Sequence, residues 1–185
     1  MKTFREKVAV ITGAGSGIGR YLAILLAKDG ADICVCDINE EGLNETVTML
    51  RNYNVSVSSH LLDVSDKESL EALPQKVIDQ HGKVDLVFNN AGVTTGAHFQ
   101  DMSEDNWDWV MGINFEGVVN STRAFIPHLI NCSEAAIINT SSIFGMVTVP
   151  GQTVYHATKF AVRGFTESLA LEMKQTNPNL QIHCV

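Results

Sequence analysis

Short apolar runs alternate with amphipathic stretches along almost the whole chain. Val8-Ala9-Val10-Ile11 is a continuous apolar run, the pattern of a strand buried on both faces. After a glycine-rich turn, Ile18, Leu22, Leu25 and Leu26 recur at helical spacing. Ile33-Cys34-Val35-Cys36 predicts a second strand, residues 40–53 a second helix and residues 55–62 a third strand. Ser65 and Glu68 have the spacing of a capping box and open a third helix, which Pro74 is expected to kink or restart. A fourth strand is expected over 84–88. Ser103 is expected to cap a long helix through Trp107, Val110 and Ile113, disturbed near its end by Pro127. Residues 135–140 predict a fifth strand, a loop with Pro150 and Gly151 leads into a further helix, and residues 180–185 start a sixth strand. Apolar strands alternating with helices imply a parallel sheet covered on both faces. Right-handed crossovers then make the fold α/β and doubly wound. No repeat, low-complexity stretch or linker divides the chain, so residues 1–185 are read as a single domain.

Composition narrows the function. Hydrophobic residues make up 45% and charged residues 18% of the chain, a globular balance rather than a disordered one. A formal net charge of -8 argues against nucleic acid, whose phosphates call for a basic face. No apolar run is long enough to cross a bilayer, so no membrane association is expected. The N-terminal stretch from Met1 to Lys7 is too charged for a signal peptide, and a cytoplasmic location is expected. Cys34 and Cys36 are expected to face opposite ways along their strand. With Cys132 and Cys184 they have no disulfide-like spacing and are read as buried reduced thiols. The six histidines form no metal-ligand pattern, so no metal is expected. The chain stops inside the sixth predicted strand, whereas domain edges fall in exposed linkers, so a downstream continuation is expected.

Two local patterns carry chemistry. In Thr12-Gly13-Ala14-Gly15-Ser16-Gly17-Ile18-Gly19, between the first strand and first helix, the strict G-x-G-x-x-G pattern fails because its third glycine would fall on Ile18. The spacing G-x-x-x-G-x-G fits, through Gly13, Gly17 and Gly19. Missing Cβ atoms let the backbone approach a diphosphate at a helix N-terminus, which makes Gly13, Ser16, Gly17, Ile18 and Gly19 candidate cofactor contacts. No Lys-Ser/Thr pair ends the loop, against a nucleoside triphosphate. Asp37 closes the second strand, where a carboxylate meets ribose hydroxyls and repels a 2′-phosphate. NAD is therefore favoured over NADP, although Asp37 could also cap the following helix. The second pattern is Tyr155-His156-Ala157-Thr158-Lys159. Tyr155 and Lys159 are four apart on a predicted helix and share a face. A phenol beside a fixed cation is a proton-transfer device, since the cation favours the phenolate. His156 lies about 100° away round the helix and is expected to be a packing or surface residue.

With Asn89-Asn90-Ala91-Gly92 after the fourth strand and Ser141-Ser142 after the fifth, these motifs make the chain resemble the short-chain dehydrogenase/reductase family over essentially its whole length. The resemblance implies a Rossmann-like fold and hydride transfer between a nicotinamide and a secondary alcohol or ketone. It implies Tyr155 as general acid/base, with Lys159 supporting it and bonding the nicotinamide ribose. Ser142 would hold the substrate oxygen (Ser141 if the register is off by one), and Asn114 would support a proton relay to Lys159. Asp63 and Val64 would contact adenine, and Asn90, Ala91 and Gly92 would line the adenosine side and steady the sheet. It also implies a homodimer or homotetramer, to which the small residues Ala157, Ala161 and Gly164 are suited. Family members usually continue with a Pro-Gly, a substrate loop and a seventh strand, none of which is in this sequence. Competing readings are a dinucleotide-binding sensor or assembly module without catalysis, and an NADP-preferring carbonyl reductase. Phe144, Met146, Val147, Val149 and Val154 are either an apolar substrate wall or core, and Thr94, Thr95, His98 and Phe99 could line the opening.

Overall fold

The computed structural model describes residues 3–185; Met1 and Lys2, the start of the charged N-terminal stretch, lie outside the described residues. Six strands, β1 (Val8–Thr12), β2 (Asp32–Asp37), β3 (Val57–Leu61), β4 (Leu86–Asn89), β5 (Ala135–Asn139) and β6 (Leu180–Cys184), form one sheet. Its order is β3-β2-β1-β4-β5-β6 and every pairing is parallel. Helices α1 (Gly17–Lys28), α2 (Glu40–Leu50), α3 (Lys67–His81), α4 (Glu104–Met111), α5 (Gly117–Leu129) and α6 (Thr153–Thr176) fill the connections. The doubly wound α/β architecture expected from the apolar pattern is the one observed.

All of β1 is buried because it serves two cores. Val8 and Val10 pack on one face with Val87, Ile137, Leu70 and Leu73 of α3, and Phe125 of α5. Ala9 and Ile11 pack on the other with Ile33, Val35, Ala23 and Leu26 of α1, and Leu43 of α2. Cys34 and Cys36 lie on the same face, with their Sγ atoms 4.0 Å apart. This overturns the expectation of opposite faces: side chains alternate along a strand, so residues two apart point the same way. All four cysteines are free.

Three helix expectations are corrected. Asp66, not Ser65, caps α3, accepting from the N–H groups of Glu68 at 3.1 Å and Ser69 at 3.3 Å. The Ser65 hydroxyl instead donates to Asp63 at 2.7 Å. Pro74 is buried inside α3 without restarting it, since burial of Leu70, Leu73 and Val77 outweighs the one ladder bond proline removes. The long helix is two, joined by a π turn over Gly112–Glu116, a feature frequent at functional sites. Ser103 does cap α4, its hydroxyl accepting from Asn106 N at 3.2 Å. Ser103→Ala is expected to cost about 1 kcal/mol, read as a lower urea midpoint at unchanged m-value.

The strand order reverses between β1 and β4, so a crevice opens at their C-terminal ends. Gly13, Asp37, Asn90 and Ser141 each end or follow a strand on that side.

Candidate active site

A cleft of about 370 Å³ occupies this crevice. Its floor is the turn from β1 into α1. Gly13 has φ +67°, and a Cβ there would lie 2.8 Å from Ala91 Cα; Gly17 has φ +51°. Both conformations suit glycine. Ser16 stands at the α1 N-cap but makes no side-chain capping bond, and the first turn of α1 holds no acid. The leading N–H groups of α1 are thereby left for an anion in the cleft. Every cofactor candidate of the glycine loop lines the cleft, as do Asp37, Asp63, Val64, Asn90, Ala91 and Gly92.

Asp37 is held rather than free. One carboxylate oxygen accepts from Gly15 N at 2.8 Å and the other from Asn39 N at 2.9 Å. The helix cap itself is Asn39, which accepts from Gly42 N at 2.9 Å. Arg20, just past the loop, was not singled out by its sequence position. Its guanidinium bonds Thr46 Oγ1 at 2.9 Å, Glu45 at 2.7 Å and the carbonyls of Gly15 and Gly42. It ties α2 to the glycine loop and is engaged within the chain. Ile38, Leu62, Val93 and Ile113 also line the cleft without having been predicted. An apolar residue directly after Asp37, 68% exposed in the fold, was the available signal for Ile38.

Tyr155 and Lys159 share a face of α6, with Lys159 Nζ 5.5 Å from the Tyr155 ring centre. Lys159 is buried, donates to Thr140 O at 2.9 Å, and lies near Gly92, whose added Cβ would be 3.7 Å from Nζ. Burial pushes its ammonium down from 10.5 to about 8. Asn114 sits in the π turn, fully buried. Its amide accepts from Val93 N at 2.8 Å, donates to Val93 O at 2.8 Å and reaches Thr158 Oγ1 at 3.3 Å. It thus links the irregular segment after β4 to α6 one residue before Lys159.

The two serines separate cleanly. Ser141 is buried and its hydroxyl donates to Lys159 O at 2.9 Å. Ser142 is half-buried, and its Oγ accepts from Phe144 N at 3.1 Å. The Phe144 ring meets the Tyr155 ring edge-on at 6.2 Å. Of the apolar wall, Val154 is core, whereas Met146, Val147 and Val149 are exposed. Thr94 donates to Gln152 Oε1 at 2.7 Å, and Phe99 stacks edge-on with Trp107. No cluster among the described residues is suited to a metal ion.

The arrangement is that of a dinucleotide-binding α/β fold with a phenol and an ammonium together on one helix face beside the cleft. Residues 7–185 match the family described as short chain dehydrogenase, and the chain belongs to that family of oxidoreductases. SadH of Mycobacterium tuberculosis, an oxidoreductase whose name marks the activity as provisional, is 42% identical over 185 residues, covering 100% of this chain and 67% of SadH. A short chain dehydrogenase/reductase from Burkholderia phymatum, solved in complex with NAD, superposes with TM-score 0.95 at 37% identity, over 100% of this chain and 65% of that one. An NAD-bound xylitol dehydrogenase gives TM-score 0.93 at 32% identity, over 99% of this chain and 70% of that one. The chain therefore spans about two thirds of the length of its relatives.

Proposed function

We propose that the chain is an NAD-dependent oxidoreductase acting on a secondary alcohol or the corresponding ketone, with Tyr155 as general acid/base. The observation that carries this reading is a buried Lys159 ammonium held against the Tyr155 ring beside a cleft whose floor suits a diphosphate. The residues fit a dinucleotide. A Cβ on Gly13 would meet Ala91, and the α1 N-terminus has no side-chain cap. A carboxylate has about four lone-pair sites, so Asp37 can accept ribose hydroxyls besides Gly15 and Asn39. The Lys159 ammonium has donors beyond the one given to Thr140.

A bound nicotinamide supplies the hydride acceptor or donor. Tyr155 takes the proton of the substrate hydroxyl during oxidation and returns it during reduction. The positive charge of Lys159 favours the Tyr155 phenolate that accepts the proton in oxidation and is left behind in reduction. Ser142 holds the substrate oxygen, and Asn114 supports a water-mediated proton relay to Lys159. Asp63 and Val64 take the adenine side. Mixing the chain with NAD and a series of secondary alcohols is expected to produce reduced nicotinamide absorbance. Binding of NAD with no turnover of any alcohol or ketone would sink the enzymatic reading in favour of a binding module.

Asp37 sets the preference for NAD, because its charge opposes a 2′-phosphate and the Arg20 guanidinium is already engaged. Asp37→Ala is expected to weaken NAD about tenfold, the scale of one charge-assisted hydrogen bond, and to narrow the gap to NADP. Titrating both dinucleotides into both proteins measures it, and a wild-type preference for NADP would reverse the argument.

A cytoplasmic location and assembly as a homodimer or homotetramer belong to the same reading. No described helix is long and apolar enough to cross a membrane. Nothing lies within 4 Å of a Cβ added to Gly164, and Ala157 is exposed. The small-residue face of α6 is thus not fully used within the chain, which supports helix contact across a dimer.

A further inference from the structure

His156 follows the proposed base in sequence but is turned into the protein and is only 6% exposed. Its Nε2 lies 2.9 Å from Val149 N, which can only donate, so Nε2 accepts and carries no proton. Its Nδ1 lies 3.0 Å from Phe144 O, which can only accept, so Nδ1 carries the proton. The two bonds select one neutral tautomer. The Phe144 ring packs against the imidazole with centroids 4.8 Å apart. A single side chain of α6 therefore fastens both ends of the segment 144–149.

The segment needs such a fastening. Gly145 is buried, packed so closely that a Cβ would lie 2.8 Å from Lys159 O. The apolar residues that follow it in the segment have little burial to hold them. Met146 is 60% exposed, Val147 49% and Val149 42%. The remaining backbone bonds here are short turns, with Gly145 N to Ser142 O and Met146 N and Val147 N both to Ile143 O. Phe144 also touches both reacting groups of the proposed site. Its N–H donates to Ser142 Oγ at 3.1 Å, and its ring meets that of Tyr155.

We propose that His156 is a positioning residue that fixes Met146, Val147 and Val149 as an apolar wall for a substrate bearing a bulky apolar group beside its carbinol or carbonyl carbon. This rests on the oxidoreductase reading of Tyr155. Exposed apolar side chains held by backbone bonds, not by their own burial, form a surface kept ready for an apolar partner.

The test has two arms, on wild type, His156→Ala and His156→Gln, since glutamine offers one donor and one acceptor in a single amide. In the first arm, amide hydrogen exchange of Val149 is expected to quicken about tenfold in His156→Ala, the scale of one lost hydrogen bond, with that of Val162 in α6 unchanged. In the second, with NAD saturating, KM for 1-phenylethanol is expected to rise about tenfold in His156→Ala, while KM for 2-propanol and both kcat values stay within about twofold. His156→Gln should recover part of both effects. Unchanged Val149 exchange overturns the clasp, and equal KM changes for the two alcohols overturn the wall. A wild-type chain that binds NAD yet oxidises neither alcohol counts against the oxidoreductase reading and against the wall with it. The exchange arm still decides separately whether His156 fastens the segment.

Discussion

Replacing Tyr155 by phenylalanine is expected to lower kcat by about 10²–10⁴-fold, the range a positioned general acid or base contributes. Dinucleotide affinity should change by less than about twofold, because the substitution removes one oxygen and no anchor. The ring keeps its edge contact with Phe144, and Lys159 keeps its bond to Thr140, which does not involve Tyr155. The glycine loop and Asp37 line the cleft, which Tyr155 does not, and are untouched. Steady-state turnover with a secondary alcohol, beside a titration of NAD into the same preparation, separates the two effects. Loss of both would mean that the variant has disturbed α6. Retention of both would remove the phenol from the reaction and leave Ser142 and Lys159 without a proton acceptor to serve.

The parts of this picture that were legible in the sequence are those set by local periodicity or by backbone demands. β1 reads as a doubly buried strand because every residue of Val8-Ala9-Val10-Ile11 is apolar, and Gly13 and Gly17 read as a loop because few other residues accept their φ. Tyr155 and Lys159 read as neighbours because helical spacing alone brings them together. The misses depend on partners far along the chain or on details below the resolution of a pattern. The π turn at Gly112–Glu116 inserts a local irregularity into an otherwise helical pattern. Asp66 and Ser65 are both good caps, and the backbone, not composition, decides between them. His156 gave no signal because its bonds go to the backbone of Phe144 and Val149, which any residue types there would offer. The role of Arg20 in tying α2 to the glycine loop likewise exists only once α2 has folded beside α1.

Lys159 is expected to lower the stability of the fold it serves. Among the described residues it has no ion-pair partner, and it donates to a neutral carbonyl. Burial moves its pKa from 10.5 to about 8. At about 1.4 kcal/mol per pKa unit, holding the charged form in place costs about 3 kcal/mol near pH 7. Lys159→Met keeps the length and apolar stem of the side chain and removes the charge, so it is expected to be more stable than wild type near neutrality by up to that amount. The pH dependence fixes the sign. Below about pH 8 the lysine is protonated in both folded and unfolded chains, and the whole penalty is present. Between about 8 and 10.5 the folded lysine gives up its proton while the unfolded one keeps it. The unfolded state then binds more protons, so wild-type stability rises with pH through this window, relative to the methionine variant. Urea midpoints of the two proteins should therefore differ most near pH 7 and converge as pH approaches 10.5. A difference that does not change with pH would show that the ammonium is not desolvated as its burial requires. A variant less stable at pH 7 would show that the bond to Thr140 outweighs the burial of the charge. Convergence, together with loss of turnover in the variant, would mean that the charge is retained for its effect on Tyr155 at a cost in stability, as expected of a site selected for chemistry rather than for folding.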